Sequence, residues 1–340
     1  MPQVRPPGTV SIVQKSPAVE SLLKEDSPVV AVAWPDSFTF NNVFSDSSTP
    51  LSESNLSKLA SFRKDLPSNV YEALASFTEN PNDVGALVLK NVPVGSIPPT
   101  PPSPTAKTGK NLASETLLLT LARCLGHPVG YAPEHGGDLV QNIVPVASTA
   151  DRQVSTSSKV RLEFHTEAAF HPHRPRYLLL MCLRGDVNAS TTLCSVRHAL
   201  KHIPFEVQEV LKQPRFATGV DESYLGFRSD YLGPSIPAVS GPHMSESICF
   251  DGDLMQGLDP EAADALEILR AAIDKAQCSL VLEAGDVLIV DNQVAVHGRS
   301  PFTPRFDGTD RWLQRSFVVA DLSSSANDRV GRIIATSFKG

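Results

Sequence analysis

Residues 279–298 read SLVLEAGDVLIVDNQVAVHG, and how that stretch folds decides the architecture. Its apolar and β-branched residues recur with the spacing of strands that have one or both faces buried. A turn signal at Glu283–Gly285 divides the run into two strands. Just upstream, DPEAADALEILRAAIDKAQ (259–277) switches to a helical period. Asp259 is placed to cap that helix and Pro260 to open it, while Ala263, Leu266, Ile268 and Ile273 mark much of an apolar stripe. Downstream, RWLQRSFVV (311–319) is a further strand. Strands follow helices in blocks instead of alternating with them, and no GxGxxG turn occurs. The expectation is an α+β fold, a β-sandwich or barrel with helices packed outside, forming one domain over residues 31–340.

Earlier segments agree with that plan. Helices are expected over Ser52–Asp65, with Ser52 as N-cap, and over Asn69–Phe77, with Pro67 between them. GALVLKNVPV (85–94) reads as a buried strand, and the prolines of SIPPTPPSPT (96–105) force an extended loop. ASETLLLTLARCLGH (113–127) is helical, with Ser114 as N-cap and Gly126 as stop. RYLLLMCLRGD (176–186) is apolar without a break, as a core strand requires, and PFEVQEVLKQ (204–213) suits a short helix. Residues 1–30, rich in Pro and Ser, read as an N-terminal arm that lies over the body or is partly disordered. Residues 221–248, rich in Gly, Ser and Pro and without a period, read as a lid.

Composition narrows the classes. With 340 residues, 41 % of them hydrophobic, the chain can bury a large core. A net charge of −7 and scattered Lys and Arg argue against a nucleic-acid binder. No stretch approaches the ~20 apolar residues that span a bilayer. MPQVRPPGTVSIVQKSP lacks the apolar region of a signal peptide, so no membrane partner and a cytoplasmic location are expected. The five cysteines (Cys124, Cys182, Cys194, Cys249 and Cys278) form no CxxC pair and read as free, buried thiols.

The chemistry concentrates in RLEFHTEAAFHPH (161–173), which holds three histidines and two glutamates. If this is the end of a strand, His165 and Glu167, two apart, emerge on one face and can share an ion. A third ligand must come from elsewhere, and His297, near the end of 279–298, is the remote candidate. Two His and one carboxylate on one face of an octahedron leave three positions open, the pattern of non-haem Fe(II) oxygenases. In a chain with nine histidines, HxE alone is as easily chance as site. Arg311 and Arg315 share a strand face after His297 and suit carboxylates through their planar forks, although surface arginines fit the same spacing.

Two longer motifs go further. FHTEAAFHPHRPRYLLLMCLRGD (164–186) and VAVHGRSPFTPRFDGTDRWLQRSFVV (294–319) together resemble the clavaminate synthase-like family of Fe(II)/2-oxoglutarate oxygenases. Within it they look most like the hydroxylases of free amino acids, of the arginine β-hydroxylase and asparagine oxygenase type. The likeness runs from the PPTP loop near residue 98 to the final strand. It implies a distorted jelly roll (double-stranded β-helix) flanked by helices, with Fe(II), 2-oxoglutarate as co-substrate and O2. Residue by residue, it implies His165, Glu167 and His297 as iron ligands, with Glu167 also facing the substrate. Arg311 matches the holder of the 2-oxoglutarate distal carboxylate, assisted by Thr191 in NASTTLCSV. Arg315 matches a residue near the substrate carboxylate, as does Ser155, and Glu134 in PEHGGDLVQN falls at the substrate amine. His171, His173 and Glu163 carry no family role and read as structural support.

The same resemblance frames the substrate. Asp221, opening the lid, and Asp251, in CFDGDLM, fall where relatives hold the far end of the side chain. Two carboxylates favour a guanidinium or ammonium, though either residue could equally cap a turn or bond backbone amides. Arginine-using members carry a second acid where this chain has Cys249, which weakens the case for a full positive charge and makes a neutral ureido side chain a rival. Asp253 lies on the other side of Asp251. The expected reaction is hydroxylation at C3 or C4 of a small-molecule partner, a free L-amino acid, in specialised-metabolite or antibiotic biosynthesis. Arginine and a ureido analogue such as citrulline are the leading substrates. A desaturase or cyclising oxygenase on the same scaffold is the alternative within the class. A zinc hydrolase or non-redox metal-binding jelly roll is the alternative outside it, and the Arg311 spacing speaks against the hydrolase.

Overall fold

The computed structural model describes residues 29–36, 53–106, 112–225, 231–336 and 338. Ser52 and all but the end of the 1–30 arm lie outside the described residues.

Two sheets form the core. The larger contains β1 (Val30–Ala33), β2 (Ala86–Lys90), β3 (His127–Tyr131), β4 (Gln141–Ile143), β6 (Tyr177–Arg184), β13 (Val287–Asp291) and β15 (Trp312–Val319). β16 (Arg329–Val330) and β17 (Ile333–Ile334) extend it. The order is β1-β2-β13-β6-β15-β3-β17-β16, with β4 also pairing β15. The smaller sheet is built from β5 (Leu162–His165), β7 (Ser190–Ser195), β12 (Cys278–Val281) and β14 (Ala295–Arg299), in the order β12-β7-β14-β5. Two short pairs complete the set: β8 (Phe216–Thr218) with β11 (Met255–Gly257), and β9 (Val239–Ser240) with β10 (Ser247–Ile248).

The unbroken apolar run of β6 reflects burial on both faces. Leu178, Leu180 and Cys182 point between the sheets, where they join Leu193, Leu280 and Ala295 from the smaller one. Leu179, Met181 and Leu183 point the other way, under α2 (Ser68–Glu79) and α3 (Leu112–Leu125), meeting Leu74, Phe77, Leu117 and Leu121. Preceding these helices is α1 (Glu53–Phe62), followed by a 3-10 turn at Arg63–Asp65. On the outside of the smaller sheet, α4 (Val196–Leu200), α5 (Phe205–Leu211) and α7 (Pro260–Ala276) cover Phe164, Cys194 and Val296. Between them comes α6 (Glu222–Leu225). This is the expected α+β jelly roll flanked by helices. Truncating a residue such as Leu179 to Ala is expected to cost about 2–5 kcal/mol.

Four local expectations need correction. Residues 279–298 form parts of three strands, because a second turn at Asn292–Gln293 separates β13 from β14. Asp291 Oδ1 accepts from Gln293 N at 3.0 Å and Asp291 O from Val294 N at 2.9 Å. That turn sends β13 to the larger sheet and β14 to the smaller, so a continuous apolar pattern hides the crossover. In α7 the buried stripe is Ala262, Ala265, Leu266, Leu269, Ala272 and Ile273; Ala263 and Ile268 face solvent, one position off the stripe. Asp259 does cap this helix, accepting from Ala262 N. Ser114 is not an N-cap: it lies inside α3, buried, and its hydroxyl donates to Gln314 Oε1 at 2.6 Å. Finally, 221–248 is not one irregular loop, since α6, β9 and β10 lie within it. All five cysteines are free; Cys182, Cys194 and Cys249 are buried and the other two half-buried. Among the described residues no helix is long and apolar enough to cross a membrane.

Gly298 places the site. A Cβ there would lie 2.6 Å from Leu162 O and 2.9 Å from Thr192 Oγ1, so only glycine lets β14 settle this closely between β5 and β7.

Candidate metal and co-substrate site

Strand pairing brings the distant histidine to the HxE segment. β5 and β14 are antiparallel with His165 directly opposite His297. Glu167 follows β5 by two residues, and Asn292 anchors its backbone: Oδ1 accepts from Glu167 N at 2.8 Å and Nδ2 donates to Glu167 O at 3.1 Å. Nε2 of His297 lies 3.4 Å, and Nε2 of His165 4.0 Å, from Glu167 Oε2. One donor atom from each of the three residues falls within 4.8 Å of the others. His165 Nδ1 is 2.8 Å from Glu163 O, so that nitrogen donates and the Nε2 lone pair faces the other two residues.

Electrostatics favour a cation here. Burial alone pushes the Glu167 carboxyl up, but Arg315, His297 and His165 together outweigh it and hold it near 2. Burial, then the neighbouring His165, lowers His297 to about 4. At neutral pH Glu167 is a carboxylate and His297 is neutral. Glu167 Oε1 accepts from Arg315 Nη1 at 2.8 Å, whereas buried Oε2 has no hydrogen bond. A bare buried carboxylate oxygen is costly, and a divalent ion between the three donors would satisfy it. The donor set therefore fits Fe(II), with room for ligands opposite the three.

Two arginines lie beyond the trio. Arg311 is 7 % exposed, and among the described residues no carboxylate forms an ion pair with it. Burial lowers its pKa, the signature of a guanidinium lacking a counter-ion. Arg299 is directly opposite Thr191 on β7, and Arg299 and Arg311 both lie against the Phe302 ring, at 5.0 and 5.9 Å from its centroid. Thr191 Oγ1 is buried without a partner. Buried cations and an unused hydroxyl make this end fit for a carboxylate such as the distal one of 2-oxoglutarate.

On the other side of the trio opens a cavity of about 340 Å³. At its inner end Arg315 is gripped by acceptors: Glu167 at 2.8 Å, Glu134 Oε2 at 3.0 Å and Gln141 Oε1 at 2.6 Å from Nη2 and 3.0 Å from Nε. Of the guanidinium's five N–H groups this leaves one, on Nη1. Burial raises the Glu134 carboxyl despite Arg315, and Tyr224 of α6 donates to Glu134 Oε1 at 2.8 Å. One wall consists of Gln153, Val154, Ser155 and Thr156. The outer part carries Asp221, Asp251, Asp253 and Glu163. Asp251 forms a bridge to His165, and its Oδ1 accepts from Asp253 N at 2.9 Å and Leu254 N at 2.7 Å. Burial raises the Asp251 carboxyl; no Lys or Arg pairs with it among the described residues.

Glu134, Ser155, His165, Glu167, Asp221, Asp251 and Arg315 thus line one cavity, and Asp221 and Asp251 also bond turn backbone. Asp221 Oδ1 accepts from Ser223 N and Oγ, each at 2.9 Å, while both residues also line the cavity. Cys249 turns its thiol to Ala169 O at 3.4 Å, and Asp253 is a further acid in the wall. His171 is packed: its Nδ1 accepts from His173 N at 2.9 Å, and burial lowers it to about 3. His173 binds Asp328 at 2.7 Å. Sequence reasoning missed Gln141, Tyr224 and Asn292. Only Asn292, in the turn directly after β13, carried any local signal, because the other two act solely through tertiary contacts.

Known proteins resemble this chain over most of its length. The taurine catabolism dioxygenase TauD, TfdA family matches residues 82–317. An L-lysine 3-hydroxylase of Catenulispora acidiphila is 39 % identical over 282 residues, 81 % of this chain and 78 % of that protein. An asparagine oxygenase, solved with Fe(II), (2S,3S)-3-hydroxyasparagine and succinate, superposes with a TM-score of 0.80 at 33 % identity, covering 85 % of this chain and 91 % of that one. The non-heme iron oxygenase OrfP, solved with Fe, succinate and (3S)-hydroxy-L-Arg, gives 0.76 at 32 % identity over 82 % and 90 %.

Proposed function

The chain belongs to the TauD/TfdA family and is an iron- and 2-oxoglutarate-dependent dioxygenase, and from that premise we propose that it hydroxylates C3 or C4 of a free L-amino acid with a cationic side chain. Lysine stands ahead of arginine, and citrulline behind both. The observation that carries this reading is Asp251, a half-buried carboxylate in the cavity wall that no Lys or Arg pairs with among the described residues. A substrate ammonium would supply the missing charge, whereas a neutral ureido group would leave it bare. Cys249 withholds the second acid that a planar guanidinium would pair with, which favours a compact ammonium. The similar L-lysine 3-hydroxylase supports the same order.

In this reading His165, Glu167 and His297 hold Fe(II), while Arg311 and Thr191 hold the distal carboxylate of 2-oxoglutarate. The chemistry supplied with Fe(II), 2-oxoglutarate and O2 is insertion of one oxygen atom into a C–H bond as the co-substrate is lost as succinate and CO2. The chain's own residues do the placing. Arg315, with its remaining N–H, and Ser155 take the α-carboxylate. Glu134 and Glu167 face the α-amine, while Asp251, with Asp221, takes the far end. Tyr224, bonded to Glu134, ties the 221–248 segment to the inner pocket, so that segment acts as a lid excluding water. Hydroxylation is separated from desaturation by mass spectrometry of the product: gain of one oxygen supports the reading, and loss of two hydrogens replaces it with the desaturase alternative. NMR of the product places the hydroxyl.

A further inference from the structure

Arg299 is buried at 4 % exposure, two residues after His297 on β14, and its side chain leaves the strand on the same face. It does not pair with a carboxylate among the described residues. Instead Nη1 donates to Ser157 O, and Nη2 donates to Ser157 Oγ at 3.0 Å and Val160 O at 3.3 Å. Ser157 and Ser158 are fully buried, and Ser158 O accepts from Phe302 N at 2.8 Å. The Ser157–Val160 turn is thus tied to β14 and to the loop after it. Immediately before the turn come Gln153, Val154, Ser155 and Thr156, the wall of the cavity. On its other side Arg299 shares the Phe302 ring with Arg311, the two guanidiniums lying 5.0 and 5.9 Å from its centroid.

We propose that Arg299 is a positioning residue that sets the Gln153–Thr156 wall from the co-substrate end, so that an anion bound beside Arg311 strengthens amino-acid binding. The inference rests on the reading of the cavity as an amino-acid pocket. Two buried guanidiniums against one ring repel each other, and a carboxylate at Arg311 relieves that repulsion. Relief strengthens the three hydrogen bonds through which Arg299 holds the turn. Coupling of this kind is reciprocal, so amino-acid binding also tightens the hold on 2-oxoglutarate. Lysine cannot replace Arg299, because a single ammonium does not reach two carbonyls and a hydroxyl as a fork does.

The test compares R299K and R299Q with the parent and with R311L, all checked for folding by thermal melting. Anaerobic Fe(II) protein is titrated with 2-oxoglutarate by visible charge-transfer absorption, and amide hydrogen exchange is followed over residues 150–160 with and without 2-oxoglutarate. In the parent, 2-oxoglutarate is expected to slow exchange of that segment. In R299K and R299Q exchange rises about tenfold or more and no longer responds, while 2-oxoglutarate affinity falls by only about threefold. KM for the stimulating amino acid rises about tenfold, with kcat less affected. A fall in 2-oxoglutarate affinity as deep as that of R311L makes Arg299 a co-substrate ligand and overturns the proposal, as does unchanged exchange over 150–160. If no amino acid stimulates the parent, the proposed function fails, and the exchange data still decide the role of Arg299.

Discussion

The two ends of the site are built differently. The iron and co-substrate end stands on paired strands: His165 faces His297, Thr191 faces Arg299, and Gly298 lets the strands close up. The end proposed to take the amino acid has Arg315 and Gln141 on strands at its base, but its walls are connections, namely the 147–160 loop, the Asp251 turn and α6. Strand register fixes donor atoms within tenths of an ångström, as chemistry common to a family requires. Loops tolerate substitution, so the end that chooses the substrate can vary without moving the metal.

Substitutions can break that contrast, and the largest effect is expected at the strand-built end. His297→Ala should abolish iron retention and lower turnover by at least about a hundredfold, read by metal analysis and succinate release. Arg311→Leu should raise KM for 2-oxoglutarate by about 10- to 100-fold while leaving iron bound. At the loop-built end, Asp251→Asn should raise KM for lysine about tenfold or more and leave 2-oxoglutarate affinity nearly unchanged. An equal loss for both ligands would mean the two ends are not separable. The smallest effect is expected from Cys249→Asp, a shift of about fivefold in kcat/KM toward arginine over lysine, measured by competition.

The same contrast explains what the sequence made legible. His165 and Glu167 could be paired from spacing alone, because i and i+2 share a face in any strand end. His297 could be nominated, but only the crossover at Asn292–Gln293 brings it opposite His165, and the apolar run across that turn looked like one strand. Helix α7 was legible in its cap and extent because Asp-Pro is a local signal, and Leu266 and Ile273 lie on its buried stripe as expected, whereas Ala263 and Ile268 fall one position off it. Arg299 offered nothing in sequence: its partners Ser157 and Val160 lie about 140 residues away. Gln141 and Tyr224 were silent for the same reason, since their importance is to hold Arg315 and Glu134.

The central claim is that the cavity takes a free cationic amino acid beside bound Fe(II) and 2-oxoglutarate. Its most direct test is succinate release from anaerobically Fe(II)-loaded protein on addition of air, 2-oxoglutarate and, separately, lysine, arginine, citrulline and asparagine. The account predicts release stimulated most by lysine, then by arginine, with citrulline and asparagine near the level without amino acid. Equal or greater stimulation by asparagine or citrulline, or none by any of the four, would contradict it.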